Sequence, residues 1–570
     1  MADAQPDIPF DEEKEEREFA DLRKEEEEEL VKMLAETKYH LPYLNLSTLG
    51  VDNEALRYIS EENARKMGVA PFRLSGKDIF IAIRVPKEET INKLKEDMKL
   101  ENREAVFYMV STASLEKVWD RYQELSMAES GQAGTLEVSG ETLRDTAREI
   151  KKMQDIQALI EKVRGKNQVH KVSRMLEIIL AGAIAVEASD VHIEPEKDRA
   201  RLRLRLDGVL HDVFFFELDL YRFLNSRIKL LSGMKLTSRA AEDGRFSIIE
   251  GETEINVRTS MIPGAYGESI VMRILDPRAI RVKLEELGIE PFLFSIIEEE
   301  IKKPNGMILV TGPTGSGKTT TLYAFLRKIY STEIKIITIE DPIEYHLDGI
   351  IQTQEEEGRY TFLEGLRSAL RQDPDVIMVG EIRDPETAKI AIEAALTGHM
   401  VFSTLHTNNA AGVIPRLIDL EANPKIMVSA LSLSLAQRLV RKLCPYCKKE
   451  AALSVREQEA IRLVSESIKA ENKDISKYGI NPSAAQKFFR PAGCDKCNGI
   501  GYKGRIGIFE AIKTDESIEK IISTNPSERE IKKIARTQGI LSMRQDGLVK
   551  ILRGITSIEE VESVVDLYEE

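Results

Sequence analysis

The stretch Met307-Ile-Leu-Val-Thr-Gly312-Pro313-Thr314-Gly315-Ser316-Gly317-Lys318-Thr319-Thr320 decides how this chain is read. Its second half matches G-x-x-x-x-G-K-[ST], and the flanks supply the context that this pattern needs. The apolar run Met307–Val310 reads as a buried strand leading in, and Thr320–Lys328 as a helix leading out. Glycines let the backbone fold around phosphate oxygens, and a helix N-terminus directs N–H groups at them. Gly312 to Thr320 are therefore the expected nucleotide-binding residues, with Lys318 reaching the β- and γ-phosphates of ATP and Thr319 ligating Mg2+.

Working outward, three more apolar runs end in polar chemistry, as strands of a parallel sheet should. Lys335–Ile339 ends in Glu340-Asp341-Pro-Ile-Glu344, and Asp375–Val379 ends in Gly380-Glu381-Ile-Arg383-Asp384. Met400–Leu405 is bracketed by His399 and His406. Ligands of open α/β sheets lie beyond the carboxyl ends of the strands, where these groups meet the P-loop. Glu381 suits a Walker-B acid holding Mg2+ or its water, and Glu344 is the candidate to orient and deprotonate the attacking water. Singly, Glu340, Asp341 and Glu344 also read as a solvated turn. His399 and His406 read either as γ-phosphate sensors or as hydrogen-bonded core histidines. Asp384 is placed to N-cap a helix with Pro385 at N1 and Gly398 at C′, which keeps the loop carrying Glu381 and Arg383 short.

All four cysteines fall in two C-x-x-C pairs, Cys444/Cys447 and Cys494/Cys497. Two such pairs complete a tetrahedral Zn2+ site, although the 46 residues between them exceed a usual zinc ribbon; a redox C-x-x-C is the other reading. Arg199, Arg201, Arg203 and Arg205 alternate with apolar residues, putting four guanidinium groups on one strand face. That row is either a solvated face or a source of arginine fingers, and Arg245, Arg258 and Arg273 are candidates of the same kind.

The 570 residues suffice for three or four domains, and no apolar run approaches the ~18–20 residues that span a bilayer. The acidic N-terminus lacks the apolar stretch of a secretory signal, which points to a soluble cytoplasmic protein. The net charge of −15 is uneven: residues 1–30 carry −10, leaving −5 for the rest. That leader reads as a disordered solubilising tail or a docking arm. A compact α+β domain is expected over 31–125, a small-residue linker over 126–141, an α+β middle domain over 142–281 and a P-loop domain over 282–570. The acidic balance, one Trp and 6% aromatics give no phosphate-tracking or stacking surface, so nucleic acid is not an expected partner.

Taken together, the P-loop, the box Ile337-Thr-Ile-Glu-Asp-Pro-Ile-Glu344, the stretch Val379-Gly-Glu-Ile-Arg-Asp384 and the box Leu396-Thr-Gly-His-Met-Val-Phe-Ser-Thr-Leu-His-Thr-Asn408 resemble the type II/IV secretion ATPase superfamily in order and spacing. Ser189-Asp-Val-His-Ile-Glu-Pro195 and Arg205-Leu-Asp-Gly208 resemble its PAS-like middle domain. The paired C-x-x-C motifs, an insert at 440–510, are similar to those of the pilus-assembly and type II secretion members.

The resemblance implies a RecA-like α/β motor with a PAS-like α+β middle domain and a small α+β N-terminal domain. It also implies a cytoplasmic homohexamer peripheral to the inner membrane, using ATP, Mg2+ and Zn2+. Its partners would be a polytopic inner-membrane platform protein (PilC/GspF-like) and other pilus assembly subunits. By the same resemblance Glu344 is the catalytic glutamate, Glu381 the Walker-B acid, His399 and His406 sensors, and Arg203, Arg205, Arg258 and Arg273 inter-domain contacts. Two departures stand out. Members that bind cyclic di-GMP carry repeated Arg-Leu-Gly…Leu-rich motifs that do not occur here, and Glu242 stands where a Gln is usual. Type IV pilus assembly and type II secretion share the motor residues. Readings of other classes are a nucleic-acid translocase on the same core and a non-hydrolysing zinc scaffold.

Overall fold

The computed structural model describes residues 27–568 except 47–50, 57, 102, 130–134, 137–145, 165–170, 237–239, 251–252, 281, 357, 479, 481–485 and 525. Most of the acidic leader and much of the expected linker lie outside the described residues. The described residues form two compact units. The first comprises the chain up to Glu149, Gln154–Arg205 and Leu210–Ile274; the second comprises Ile150–Met153, Leu206–Val209 and the chain from Leu275 onward.

The first unit holds two sheets. Strands β1 (Val69–Ser75), β2 (Asp78–Ile83) and β3 (Glu104–Met109) form a three-stranded sheet. It shares a core with the helix Thr112–Glu129, including Ile81, Phe107, Leu115 and Tyr122. Trp119 Nε1 donates to the Val69 carbonyl at 3.0 Å and locks that helix to the sheet edge. The second sheet runs β4-β8-β9-β10-β5-β6-β7. Its members are β4 (Thr135–Leu136), β5 (Asp190–Pro195), β6 (Ala200–Leu206), β7 (Val209–Phe216), β8 (Glu242–Glu250), β9 (Thr253–Gly264) and β10 (Gly267–Leu275). In β6 buried residues alternate with half-buried ones, the period-two burial expected of the Arg/Leu row. The buried helix Lys171–Ala185 packs on β5.

The second unit is built on a sheet whose P-loop strand β11 (Gly306–Thr311) is flanked by β15 (Met400–Leu405) and β16 (Leu431–Leu443). Beyond β15 come β14 (Val376–Val379), β12 (Ile336–Glu340) and β13 (Ile351–Gln354); all these neighbours pair in parallel. β11, β12, β14 and β15 are buried along their whole length, which is why they read as unbroken apolar runs. β14, the Walker-B strand, is separated from β11 by β15, so one strand end stands between them. The RecA-like α/β fold with a parallel sheet expected for this region is the one found.

The cysteine insert lies between β16 and the antiparallel β19 (Tyr502–Lys513), with β17 (Lys449–Glu450) pairing β18 (Phe489–Arg490) at its neck. It occupies 444–501, narrower than the expected 440–510, because the outer residues belong to these strands. The long spacing between the cysteine pairs is taken up by the helix Val455–Ala470, N-capped by Ser454, whose Ala460, Val464 and Ile468 join the core of the unit. Among the described residues no helix is long and apolar enough to cross a membrane.

Lys550, fully buried in the helix Met543–Leu552, lies 2.5 Å from Asp546 Oδ1 and 3.2 Å from Glu290 Oε1. Burial raises the Asp546 carboxyl to about 6 despite that lysine. Removing one partner of a buried pair strands the other charge, so Lys550→Ala should cost about 3–5 kcal/mol. Denaturation should find the loss larger at pH 8 than at pH 5, where the stranded Asp546 carboxyl takes up a proton. A loss independent of pH would mean the pair contributes only packing.

Candidate functional site

The site assembles at the carboxyl edge of the motor sheet. Gly312 and Gly317 adopt positive φ. A Cβ on Gly312 would meet the Gln437 carbonyl at 2.5 Å, so only glycine fits where the loop leaves β11. Gly317 ends the loop, and the helix Lys318–Ile329 begins with Lys318, Thr319 and Thr320 in its first turn. Pro313, Thr314 and Gly315 are exposed at the crest. Ser316 Oγ is buried without a hydrogen-bond partner, a donor left for an incoming oxygen. Lys318 Nζ folds over the crest and donates to the carbonyls of Gly312 (2.8 Å) and Pro313 (3.2 Å). Burial pulls its ammonium below the usual lysine range, against the opposing pull of Glu381.

Hydroxyls on neighbouring strands pin the polar strand ends. Thr404 donates to the Gly380 carbonyl at 2.7 Å and accepts Ile382 N–H on its own carbonyl at 3.1 Å, which holds Glu381 from both sides. Thr311 Oγ1 bonds the Leu405 carbonyl at 2.9 Å and the Thr407 N–H at 2.8 Å, fixing His406 beside the P-loop. His406 Nε2 lies 2.8 Å from Glu381 Oε2, while Arg383 Nε holds the other carboxylate oxygen. Asp384 caps the helix Pro385–Leu396 through Thr387 N–H at 2.8 Å, and Gly398 takes positive φ past its end, as the sequence predicts.

The three acids after β12 separate into different roles. Glu340 is buried, bonded to Tyr323, Thr338 and Gln352, and belongs to the core rather than to a solvated turn. Asp341 pairs with Arg383 at 3.2 Å. Glu344 is half-buried, and its N–H donates to the Tyr323 hydroxyl, tying it to the helix that the P-loop opens.

His399 is a correction. It precedes β15, where its carbonyl accepts Gly306 N–H at the start of β11 and its Nδ1 lies 3.1 Å from the Ala394 carbonyl. That is the amino edge of the sheet, a strand length of roughly 20 Å from His406 at about 3.3 Å per residue. His399 is not brought to the P-loop and serves a helix end instead.

The arginine row is paired along its length and half-buried except at the exposed Arg199. Arg203 pairs with Glu194 at 2.6 Å, Arg205 with Asp190 at 3.1 Å, and Arg199 with Glu196 at 2.9 Å while lying over the Phe215 ring. Arg203 and Arg205 are thus held by carboxylates of the adjacent β5. Arg245, Arg258 and Arg273 line one open cavity of about 550 Å3 together with Asp243 and Ser260, and Arg273 also pairs with Asp190 at 3.0 Å. Arg245 and Arg258 are register partners across β8 and β9.

The four cysteine sulfurs lie within 4.8 Å of one another. Cys444 to Cys494 is 3.9 Å, Cys447 to Cys497 is 3.8 Å and Cys494 to Cys497 is 3.7 Å. A tetrahedron with Zn–S of about 2.3 Å has edges of about 3.8 Å, so the donor set fits Zn2+, with Cys494 about as near to Cys444 as to its own partner Cys497. Burial pushes the Cys444 thiol up to about 12; at Cys497 it is outweighed by N–H donors from Cys494 and Gly501, which bring that thiol down to about 7.

Two parts of the site escape the sequence reading. Gln437 on β16 bonds Thr321 at 2.7 Å, and Arg438 donates to the Asn408 carbonyl at 2.8 Å. Both hide in a long apolar run. Glu355 follows β13, a half-exposed edge strand whose Ile-Gln-Thr-Gln gives little apolar signal.

A family model described as Type II/IV secretion system protein matches residues 166–563, and one described as MshEN domain matches residues 39–129. The chain is 44% identical over 392 residues to type II secretion system protein E of Pseudomonas aeruginosa, covering 68% of this chain and 74% of that one. It is 35% identical over 548 residues to the type IV pilus assembly ATPase PilB of Myxococcus xanthus, covering 94% and 91%. The X-ray structure of the Legionella pneumophila ATPase DotB shares the fold, with a TM-score of 0.50 at 22% identity over 69% of this chain and 95% of that chain.

Proposed function

The chain belongs to the type II/IV secretion system protein family, and from that premise we propose that it hydrolyses ATP to drive type IV pilus assembly. The observation that carries the chemistry is the meeting of Lys318, Glu381 and His406 at adjoining strand ends around a P-loop with an unsatisfied buried donor. What favours pilus assembly is that similarity to a pilus assembly ATPase extends through nearly the whole chain, the N-terminal sheet included. The second reading, type II secretion, has the higher identity over the motor in its favour.

In this reading Lys318 and the P-loop N–H groups grip the phosphates, and Thr319 and Glu381 hold Mg2+, which neutralises phosphate charge when bound. Glu344 takes the proton of the attacking water, and His406 steadies Glu381. Arg258 and Arg273, with Arg245, receive an anionic group in the first unit's cavity. The four-cysteine cluster holds a structural Zn2+ with no position left open for catalysis. The chain works as a cytoplasmic homohexamer, peripheral to the inner membrane through a polytopic platform protein and other pilus assembly subunits. It is organised as an acidic leader, an N-terminal accessory domain, a linker, a PAS-like middle domain and a RecA-like motor.

Deleting the gene should abolish surface filaments and leave exoprotein release intact. The reverse outcome would assign the chain to type II secretion. ATP turnover stimulated by single-stranded DNA, with the stimulation lost at high salt, would move it to the translocases.

A further inference from the structure

Arg383 sits among three carboxylates that leave three adjoining strands. Its Nε bonds Glu381 after β14, its Nη2 lies 3.2 Å from Asp341 Oδ2 after β12, and its Nη1 lies 4.0 Å from Glu355 Oε2 after β13. The ring of Phe362 supports the guanidinium from the side. One cation thus answers three anions. Glu355 is the least expected of them: its side chain is four-fifths buried, and its Oε2 has no hydrogen-bond partner. Burial and the nearby Asp341 and Glu381 charges hold its carboxyl above the usual range, so the environment works against its charge. A buried carboxylate oxygen left short of Arg383 is a competitor for that arginine.

We propose that Glu355 is a positioning residue that draws Arg383 away from Glu381 and so frees Glu381 for the divalent cation of the nucleotide. The inference rests on Glu381 holding Mg2+. Arg383 cannot satisfy all three carboxylates with its one charge, and whatever share it gives Asp341 and Glu355 it withholds from Glu381. Removing the Glu355 charge concentrates Arg383 on Glu381, and Mg2+ must then displace a stronger partner. Removing Arg383 has the opposite effect.

The test titrates free Mg2+ against the affinity of the full chain for a fluorescent, non-hydrolysable ATP analogue. Glu355→Gln should raise the Mg2+ concentration at half-maximal enhancement by about threefold to fivefold, the scale of one partly exposed charge pair. Arg383→Gln should lower it. Glu355→Asp, which keeps the charge, should stay close to the parent. In the Arg383→Gln background the Glu355→Gln shift should shrink to less than half, because the effect runs through the arginine. An unchanged Mg2+ midpoint in Glu355→Gln overturns the proposal. So do equal shifts in the Gln and Asp variants, or a shift that persists without Arg383. Glu381→Gln tests the premise separately: if Mg2+ still enhances binding there to the same degree, the metal role of Glu381 fails rather than the role of Glu355.

Discussion

Lys318→Ala should remove nearly all ATP turnover, by about 10²–10³-fold, while leaving the fold intact. Lys318 Nζ bonds the crest carbonyls of its own loop, one of them exposed, so its loss disturbs little packing. With nucleotide, the same ammonium is drawn to the phosphates, and its value rises as negative charge spreads over the transferring group. Burial disfavours its charge more than Glu381 favours it, so the site holds a cation that phosphate oxygens would stabilise further. Phosphate release and thermal midpoint, measured together, separate the two effects. Unchanged turnover in this variant would sink the motor assignment and leave a non-hydrolysing scaffold.

The second large effect concerns the cysteines. Chelation should lower the thermal midpoint of the second unit by about 10 °C or more, at roughly 2–4 °C per kcal/mol for large domains. Metal binding at a site of four cysteines is folding free energy, and here it is not confined to a surface knuckle. The insert's helix delivers Ala460, Val464 and Ile468 to the core, and Gln545, on the helix Met543–Leu552, bonds Ser467 at 3.1 Å. Opening the cluster therefore loosens a wall of the motor. Cys497→Ser should match the chelated parent, and added Zn2+ should restore the parent but not the variant. A midpoint indifferent to the chelator would refute a structural metal.

How much of this could be read from the sequence follows from burial. Strands β11, β12, β14 and β15 are covered on both faces, so each is an unbroken apolar run with its chemistry at one end. The cap and C′ glycine around Pro385–Leu396 were legible because Asp, Pro and Gly act through local backbone geometry alone. β1 was not: Pro71 interrupts it beside a register shift, which a sheet edge tolerates and a central strand does not. His399 and His406 look equivalent in sequence, and only strand direction puts them at opposite edges of the sheet. The arginines of β6 needed their partners on β5, which no single-strand pattern supplies. Gln437, Arg438 and Glu355 became visible only when the strand order brought their segments to the P-loop edge.

Strand β16 touches the nucleotide loop through Gln437 and ends one residue before Cys444. Seven residues separate those points, roughly 23 Å at about 3.3 Å each. Over that length it is laddered to β19, with one register shift between Arg441 and Leu443, while its pairing with β11 ends at Ala436. The cysteine module is thereby hung from the wall of the phosphate loop, and a probe attached near Tyr446 should read nucleotide occupancy from beyond the carboxyl edge of the sheet.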